Sequence, residues 1–271
     1  MRYFVRFFLV LPLFSVALQA ENISVNTFRV HGLSVFKDEQ KQIISHWLTT
    51  GVNATRATLG VYPQTLELYV YPKKSNQPVP WAHTRRDQKE SIHFYVDSRF
   101  PLDKFVDDWT IYHEISHLAL PYLGAEYAWF SEGFASFMQY QIMAEINVLK
   151  GTLDERYQKK IGPHLKWFNS ELSAASIARR LLSKRNFPAG YWGGAWFFIL
   201  ADQQLRQKHN VSLNMVVEHY QTCCRLRDNT VQEVLQSFDQ LIEDTLFTNL
   251  LRRFENDAAR TLYPDSFKAK N

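Results

Sequence analysis

The run His113-Glu114-Ile115-Ser116-His117 constrains this 271-residue chain more than any other feature of its sequence. Histidines four positions apart lie on one face of an α-helix, one turn apart, so both imidazoles can reach a single metal ion. Ile111, Ile115 and Leu118 form an apolar stripe around them, which predicts a largely buried helix. Buried ionisable groups are costly unless something pairs them, and a metal does so. The pattern therefore predicts a helix with a Zn²⁺ site that holds one ion per chain.

Glu114 gives the predicted site a catalytic character. On such a helix it lies beside the open coordination position of the metal, where a carboxylate can take a proton from water. This predicts hydrolysis with Glu114 as the general base. One alternative is a non-hydrolytic cell-envelope binding or assembly protein that retains a structural zinc site, although structural sites are usually closed and need no base. Another is an interaction protein that presents its aromatic residues, most of which fall at core positions.

The third metal ligand has to come from another segment. Leu120 and Leu123 stand where a metzincin site needs Gly and His, so a carboxylate further along the chain is the remaining common solution. Glu126 lies in a connection, and Glu145 lies more than three turns along the next predicted helix. Glu132, where that helix is expected to begin (residues 132–149), is therefore favoured; its alternative role is that of a capping or first-turn carboxylate.

Two motifs together resemble a known family. The segment Trp129-Phe130-Ser131-Glu132-Gly133-Phe134-Ala135, after the H-E-x-x-H run, is similar to the W-[LF]-N-E-G-F-A segment of the gluzincin zinc peptidases, specifically the aminopeptidase-N-like group. The short gap between the motifs is more similar to compact peptidase MA-like domains, which Pro80-Trp81-Ala82 and a strand at residues 91–96 also fit. The resemblance implies a zinc peptidase in which His113, His117 and Glu132 hold the metal.

A third segment extends the resemblance. Gly190-Tyr191-Trp192-Gly193-Gly194-Ala195-Trp196 is similar to the Y-x-K-G-A segment of the same family, with Gly193 in place of the lysine. The family's tyrosine hydrogen-bonds to the oxyanion of the tetrahedral intermediate, and the resemblance implies that role for Tyr191. The alternative is that Tyr191 only begins a buried aromatic helix at residues 191–200.

One family element is missing from the sequence. The aminopeptidases carry a G-x-M-E-N element whose glutamate binds the substrate's amino terminus. Nothing similar occurs between residues 79 and 97, where Glu90 is the nearest substitute. The choice between exopeptidase and endopeptidase therefore stays open.

Periodicity predicts an α+β fold with a small N-terminal mixed sheet and a mainly helical half that carries the zinc site, and the resemblance to the gluzincins implies an edge strand over the cleft. Strands are expected at residues 64–71 and 91–96, with a further one at 23–30, and a helix at 37–50. The edge strand is expected at residues 91–96. Helical periods continue from residue 102, with a break at Pro188-Ala189-Gly190. We expect one catalytic domain over residues 21–271, sheet-rich to residue 100 and helical beyond it.

The first 20 residues resemble an export signal. Arg2 and Arg6 precede an apolar stretch at residues 7–18 and the exit Gln19-Ala20, which predicts a cleavable secretory signal and a periplasmic or secreted protein. Without these two arginines the formal charge of +4 falls to +2, too small to indicate nucleic-acid binding. We expect a peptide or protein substrate and no membrane span after cleavage, and the oligomeric state stays open. Cys223 and Cys224 could remain thiols, bond to each other or link two chains.

Overall fold

The computed structural model describes residues 28–86 and 89–263 of the chain. In these residues a four-stranded sheet near the N-terminus precedes a mostly helical region, so the predicted α+β class is confirmed. The strands are β1 (Phe28–His31), β2 (Leu66–Pro72), β3 (Trp81–Arg86) and β4 (Glu90–Val96). The predicted signal segment and the first part of the strand expected at residues 23–30 lie outside the described residues.

The sheet is mixed, and its edge differs from the prediction. Its strand order is β1-β2-β4-β3; β1, β2 and β4 run parallel, whereas β3 pairs with β4 antiparallel. The prediction that residues 91–96 form the edge strand is therefore wrong, because β4 has a neighbour on both sides. The edge strand beside the cleft is β3. Its sequence Trp-Ala-His-Thr-Arg-Arg lacks the alternating apolar residues that identify a half-buried strand, and none of its residues is fully buried.

One face of the sheet packs on a long helix, α1 (Asp38–Leu59). The predicted inward residues of β4, Ile92, Phe94 and Val96, are fully buried there. The helix continues well beyond the predicted end at residue 50 and passes through Gly51. A Cβ atom at Gly51 would lie 2.3 Å from the Ile111 side chain, so the missing side chain lets α1 closely approach the helix that carries Ile111.

The rest of the described chain is helical and positions the site. Its helices are α2 (Leu102–Asp107), α3 (Thr110–His117), α4 (Ala128–Glu145), α5 (Leu153–Ile161), α6 (Ala174–Ser183), α7 (Phe187–His209), α8 (Leu213–Cys223), α9 (Val231–Ile242) and α10 (Leu246–Asn256). In contrast to the predicted break, Pro188-Ala189-Gly190 lies inside the first turns of α7, where proline is tolerated because its missing N–H has no helical partner. Among the described residues, no helix has both the length and the apolar composition needed to cross a membrane.

Two glycines bring α4 and α7 into close contact. A Cβ atom at Gly133 would lie 2.3 Å from the Gly194 carbonyl carbon, and one at Gly194 would lie 2.0 Å from the Trp129 carbonyl oxygen. Gly193, at the position of the family's lysine, similarly faces the Phe168 ring. This approach carries Glu132 on α4 and Tyr191 on α7 to the same side of α3.

Candidate metal centre

Three predicted ligand residues meet at one point. His113 and His117 come from successive turns of α3, and Glu132 comes from the second turn of α4. The Glu132 Oε2 atom lies 3.3 Å from His113 Nε2 and 3.6 Å from His117 Nε2. One ligand atom from each of the three residues lies within 4.8 Å of the other two. Two imidazole nitrogens and one carboxylate oxygen form a donor set that suits Zn²⁺.

The three groups influence each other's protonation strongly. Burial opposes the ionisation of Glu132, but the charge of His117 and hydrogen bonds from both histidines outweigh it, so the pKa of this carboxyl lies well below its usual value. Burial lowers the pKa of His113, whereas the hydrogen bond and charge of Glu132 raise it more, and the net shift is upward. The carboxylate therefore stays ionised among imidazoles, as a metal-binding carboxylate must.

Gln139 supports the first ligand from behind. Its side chain is 3% exposed and lies two turns along α4 from Glu132, on the same face. The Oε1 atom lies 3.0 Å from His113 Nδ1 and accepts a hydrogen bond from it. With the proton on Nδ1, the Nε2 lone pair of His113 is directed towards the cluster, as in metal sites whose histidines are held by an outer acceptor.

Glu114 lines the same cleft beside the ligands and is held by the edge strand. The Thr84 hydroxyl on β3 donates to Glu114 Oε2 at 3.0 Å. The sequence analysis did not identify Thr84, because neither strand β3 nor its contact with α3 was visible in the sequence.

Tyr191 lies beside the same cluster. Its ring centroid is 6.1 Å from that of His113, and its side chain lines the cleft. Burial, together with the charges of Glu132 and Glu114, raises the pKa of the hydroxyl. The phenol is therefore protonated at neutral pH and can donate a hydrogen bond.

Glu90 belongs to a separate ion cluster behind α3. It accepts from Arg86 Nη1 at 2.6 Å and from Arg225 Nη2 at 2.8 Å, and the Arg225 side chain is only 6% exposed. Gln64 also donates to it, at 3.0 Å. Its carboxylate is thus fully engaged and does not line the cleft, which removes the only substitute that the sequence offered for an amine-binding glutamate.

The same cluster holds the C-terminal end of α3. Helix ends leave carbonyl groups without helical partners, and here side chains from distant segments donate to them. Four successive carbonyls are bonded in this way: those of His117 and Leu120 by Arg86, that of Leu118 by Arg225, and that of Ala119 by Gln221. The end of α3 and the residues directly after it are therefore held in place by β3, by Gln221 of α8 and by Arg225 just after that helix.

Arg225 follows directly on the two cysteines. The sulfur atoms of Cys223 and Cys224 are bonded to each other, which answers the question that the sequence left open. The bond joins the last residue of α8 to the residue after it, and Cys224 itself is buried.

The site opens into a cleft of about 1210 Å³ between β3, α3, α4 and α7. His113 is buried, and the side chains of His117 and Glu132 retain 12% and 25% of their exposure. Such a site differs from a closed structural zinc site, since another molecule can reach the ligands. The chain matches no protein-family model and no curated protein, so its likeness to the gluzincins depends on the motifs alone.

Proposed function

We propose that the chain is a zinc-dependent peptidase of the gluzincin type that hydrolyses peptide bonds. The observation that carries this proposal is the meeting of His113, His117 and Glu132 at the floor of an open cleft, with Glu114 beside them. A closed structural site would not need a carboxylate held ready beside its ligands. The accessible cleft therefore favours hydrolysis over a purely structural use of the metal.

Each side chain has a distinct task in this scheme. Zn²⁺ held by the three ligands would polarise the substrate carbonyl and lower the pKa of a water molecule to about 7. Glu114 accepts the proton of the attacking water and passes it to the leaving amine nitrogen. The Tyr191 hydroxyl donates a hydrogen bond to the oxygen that gains negative charge in the transition state. Gln139 and Thr84 hold His113 and Glu114 in the orientations that these tasks need.

The edge strand gives this cleft a means of binding peptides. Among the described residues, strand β3 pairs with β4 on one side only, and its residues from Trp81 to Thr84 line the cleft. An extended substrate can add to such an edge through backbone hydrogen bonds, which hold a peptide without requiring a particular side chain. The predicted export signal would place this activity in the periplasm or outside the cell.

Glu114→Gln is the decisive variant. It keeps the shape of the side chain and leaves all three ligands intact, so zinc should stay near one ion per chain by elemental mass spectrometry. Loss of the general base should lower the rate of peptide hydrolysis by about 10²–10⁴-fold. This rate is measured by mass spectrometry of a peptide mixture over time.

Two ligand variants complete the experiment. His117→Ala and Glu132→Ala should lose most of the zinc, while their circular dichroism spectra remain those of a folded chain. Hydrolysis by Glu114→Gln at the wild-type rate would exclude the proposed mechanism. Zinc bound by the wild type without any hydrolysis would favour a binding or assembly protein instead.

A further inference from the structure

Exposed aromatic side chains are concentrated in the cleft. Trp81, Trp109, Tyr122 and Phe187 are 54%, 44%, 64% and 47% exposed, and all four line it. Among the described residues only one other large aromatic side chain, Trp167, is similarly exposed. Exposed apolar side chains that are grouped around one cavity mark a binding surface, whereas single exposed apolar residues are common on any protein.

The direction of the cleft is given by contacts between β3 and α3. Thr84 contacts Glu114, and Arg86, two residues further along the strand, contacts the carbonyl of His117. The strand and the helix therefore run side by side in the same direction. The start of β3 lies towards the start of α3, and its end lies towards the end of α3.

Aromatic residues consequently lie on both sides of the three predicted metal ligands. Trp81 begins β3, about 10 Å from Thr84 at the rise of a strand, and Trp109 precedes α3. Tyr122 lies in the connection after α3, beyond the other end. Phe187 begins α7, with its ring 6.0 Å from that of Tyr191. A chain that crosses the cleft would meet aromatic walls before and after the ligands.

The carboxylates of the cleft are already bonded. Those that line it among the described residues are Asp108, Glu114 and Glu132. Asp108 accepts from the Thr110 backbone N–H at 2.9 Å at the start of α3. Glu114 accepts from Thr84, and Glu132 lies between the two histidines. Each carboxylate that lines the described walls thus already has a partner within the protein, and none is set apart for the ammonium group of a free amino terminus.

The size of the cleft agrees with a segment of chain as its occupant. Pockets for small molecules occupy about 300–1,000 Å³, and this cleft, at about 1210 Å³, is larger. Arg86, an arginine that lines the cleft, is already paired with Glu90. Neither end of a substrate therefore finds an obvious charged anchor, whereas apolar side chains find four.

We propose that the cleft binds the interior of a peptide chain that has aromatic or large aliphatic side chains on both sides of the cleaved bond. This inference rests on the proposed peptidase function and specifies it: the enzyme is an endopeptidase that selects its substrate by apolar side chains and not by a free terminus. Aromatic walls stack with such side chains and remove apolar surface from water.

Binding is measured first, on the catalytically silent Glu114→Gln protein, so that it does not depend on hydrolysis. The probes are acetylated and amidated octapeptides with Phe or Leu at their four central positions, and matched peptides with Ser and Glu there. Quenching of intrinsic tryptophan fluorescence gives the dissociation constants. We expect the apolar peptides to bind at least about tenfold more tightly, the effect of one good aromatic contact.

Variants then locate the binding surface. Trp81→Ala and Tyr122→Ala, each combined with Glu114→Gln, should weaken binding of the apolar peptides about tenfold. Trp109 and Phe187 are left unchanged because they contact His113 and Tyr191. Trp167→Ala is the matched control, since Trp167 is 42% exposed and lies outside the cleft. Its dissociation constants should equal those of the parent protein.

Hydrolysis by the wild-type protein tests the endopeptidase part. Blocked apolar peptides should be cut internally, and faster than aminoacyl amides that carry a free amino group. Equal binding of apolar and polar peptides, cleft variants that behave like Trp167→Ala, or preferred release of terminal residues would each overturn the inference. Selective binding without any cleavage would refute the peptidase function but leave the binding specificity intact. Cleavage without apolar preference would support the peptidase function but refute the binding specificity.

Discussion

The cleft side and the C-terminal end of helix α3 are organised in opposite ways. On the cleft side, His113, His117 and Glu114 face an open cavity and have few protein partners apart from Glu132, Gln139 and Thr84. At the C-terminal end, every carbonyl from residue 117 to 120 accepts a hydrogen bond from a distant side chain. The difference suggests a division of work: the protein fixes the helix from behind, so that the groups in front can keep unused bonding capacity.

The largest effect is expected when the charge of Glu90, behind the helix, is removed. In Glu90→Gln, the partly buried Arg86 and Arg225 lose their shared counter-ion, and an uncompensated buried charge costs about 3–5 kcal/mol. We expect the free energy of unfolding, from urea titration, to fall by that amount. Glu171→Gln is the control, because its pair with Arg260 lies at the surface and should contribute little. Equal unfolding midpoints for the two variants would show that the cluster behind α3 is not structural.

The next test acts on the cleft side without touching a ligand. Gln139→Met keeps the length of the side chain but removes the acceptor for His113 Nδ1–H. Loss of such an outer acceptor lowers metal affinity by about 10–100-fold. Competition with a fluorescent zinc chelator measures the affinity.

Gln139→Glu is the matched control, since it restores an acceptor and should hold zinc at least as tightly as the wild type. Weak zinc binding by both variants would mean that an acceptor at this position is not sufficient, which would contradict the role proposed for the hydrogen bond.

An effect of similar size, but on catalysis and not on metal affinity, is expected at the edge strand. Thr84→Val has the same shape but cannot donate to Glu114. A hydrogen bond to a charged group contributes about 1.5–3 kcal/mol, so peptide hydrolysis should fall at least about tenfold in kcat with little change in KM. Zinc content should stay the same, which distinguishes Thr84→Val from Gln139→Met. Thr84→Ser, which retains the hydroxyl, should keep most of the activity.

The parts of the site that are local in sequence could be predicted from it. The four-residue spacing of His113 and His117 determines that they share a helical face, and the position of Glu132 made it the best third ligand. Helix α1 and the buried face of β4 followed from apolar periodicity. Glu132 lies in the second turn of α4 and not at its start, because aromatic residues at 129 and 130 already belong to that helix.

What depends on pairing across long distances could not be predicted. Strand order decides which strand is the edge, and no periodicity reports it, so β4 was assigned to a position that β3 occupies. Arg225 gave no signal at all, since an arginine in a turn is usually at the surface. Gln139 gave a weak signal in the sequence. It is an amide seven residues after Glu132, on the same face of a helix in which most neighbouring residues are apolar.

The cluster behind α3 also has a consequence for synthesis, because its parts lie far apart in the chain and are made at different times. Arg225 follows Glu90 by 135 residues, and it leaves the ribosome long after His113 and His117. A nascent chain can therefore already contain all its metal ligands while the last turn of their helix lacks the arginine and glutamine donors from α8 and the turn after it. Full support of the candidate site therefore requires the chain up to Arg225, well beyond Glu132, the last of its predicted ligands.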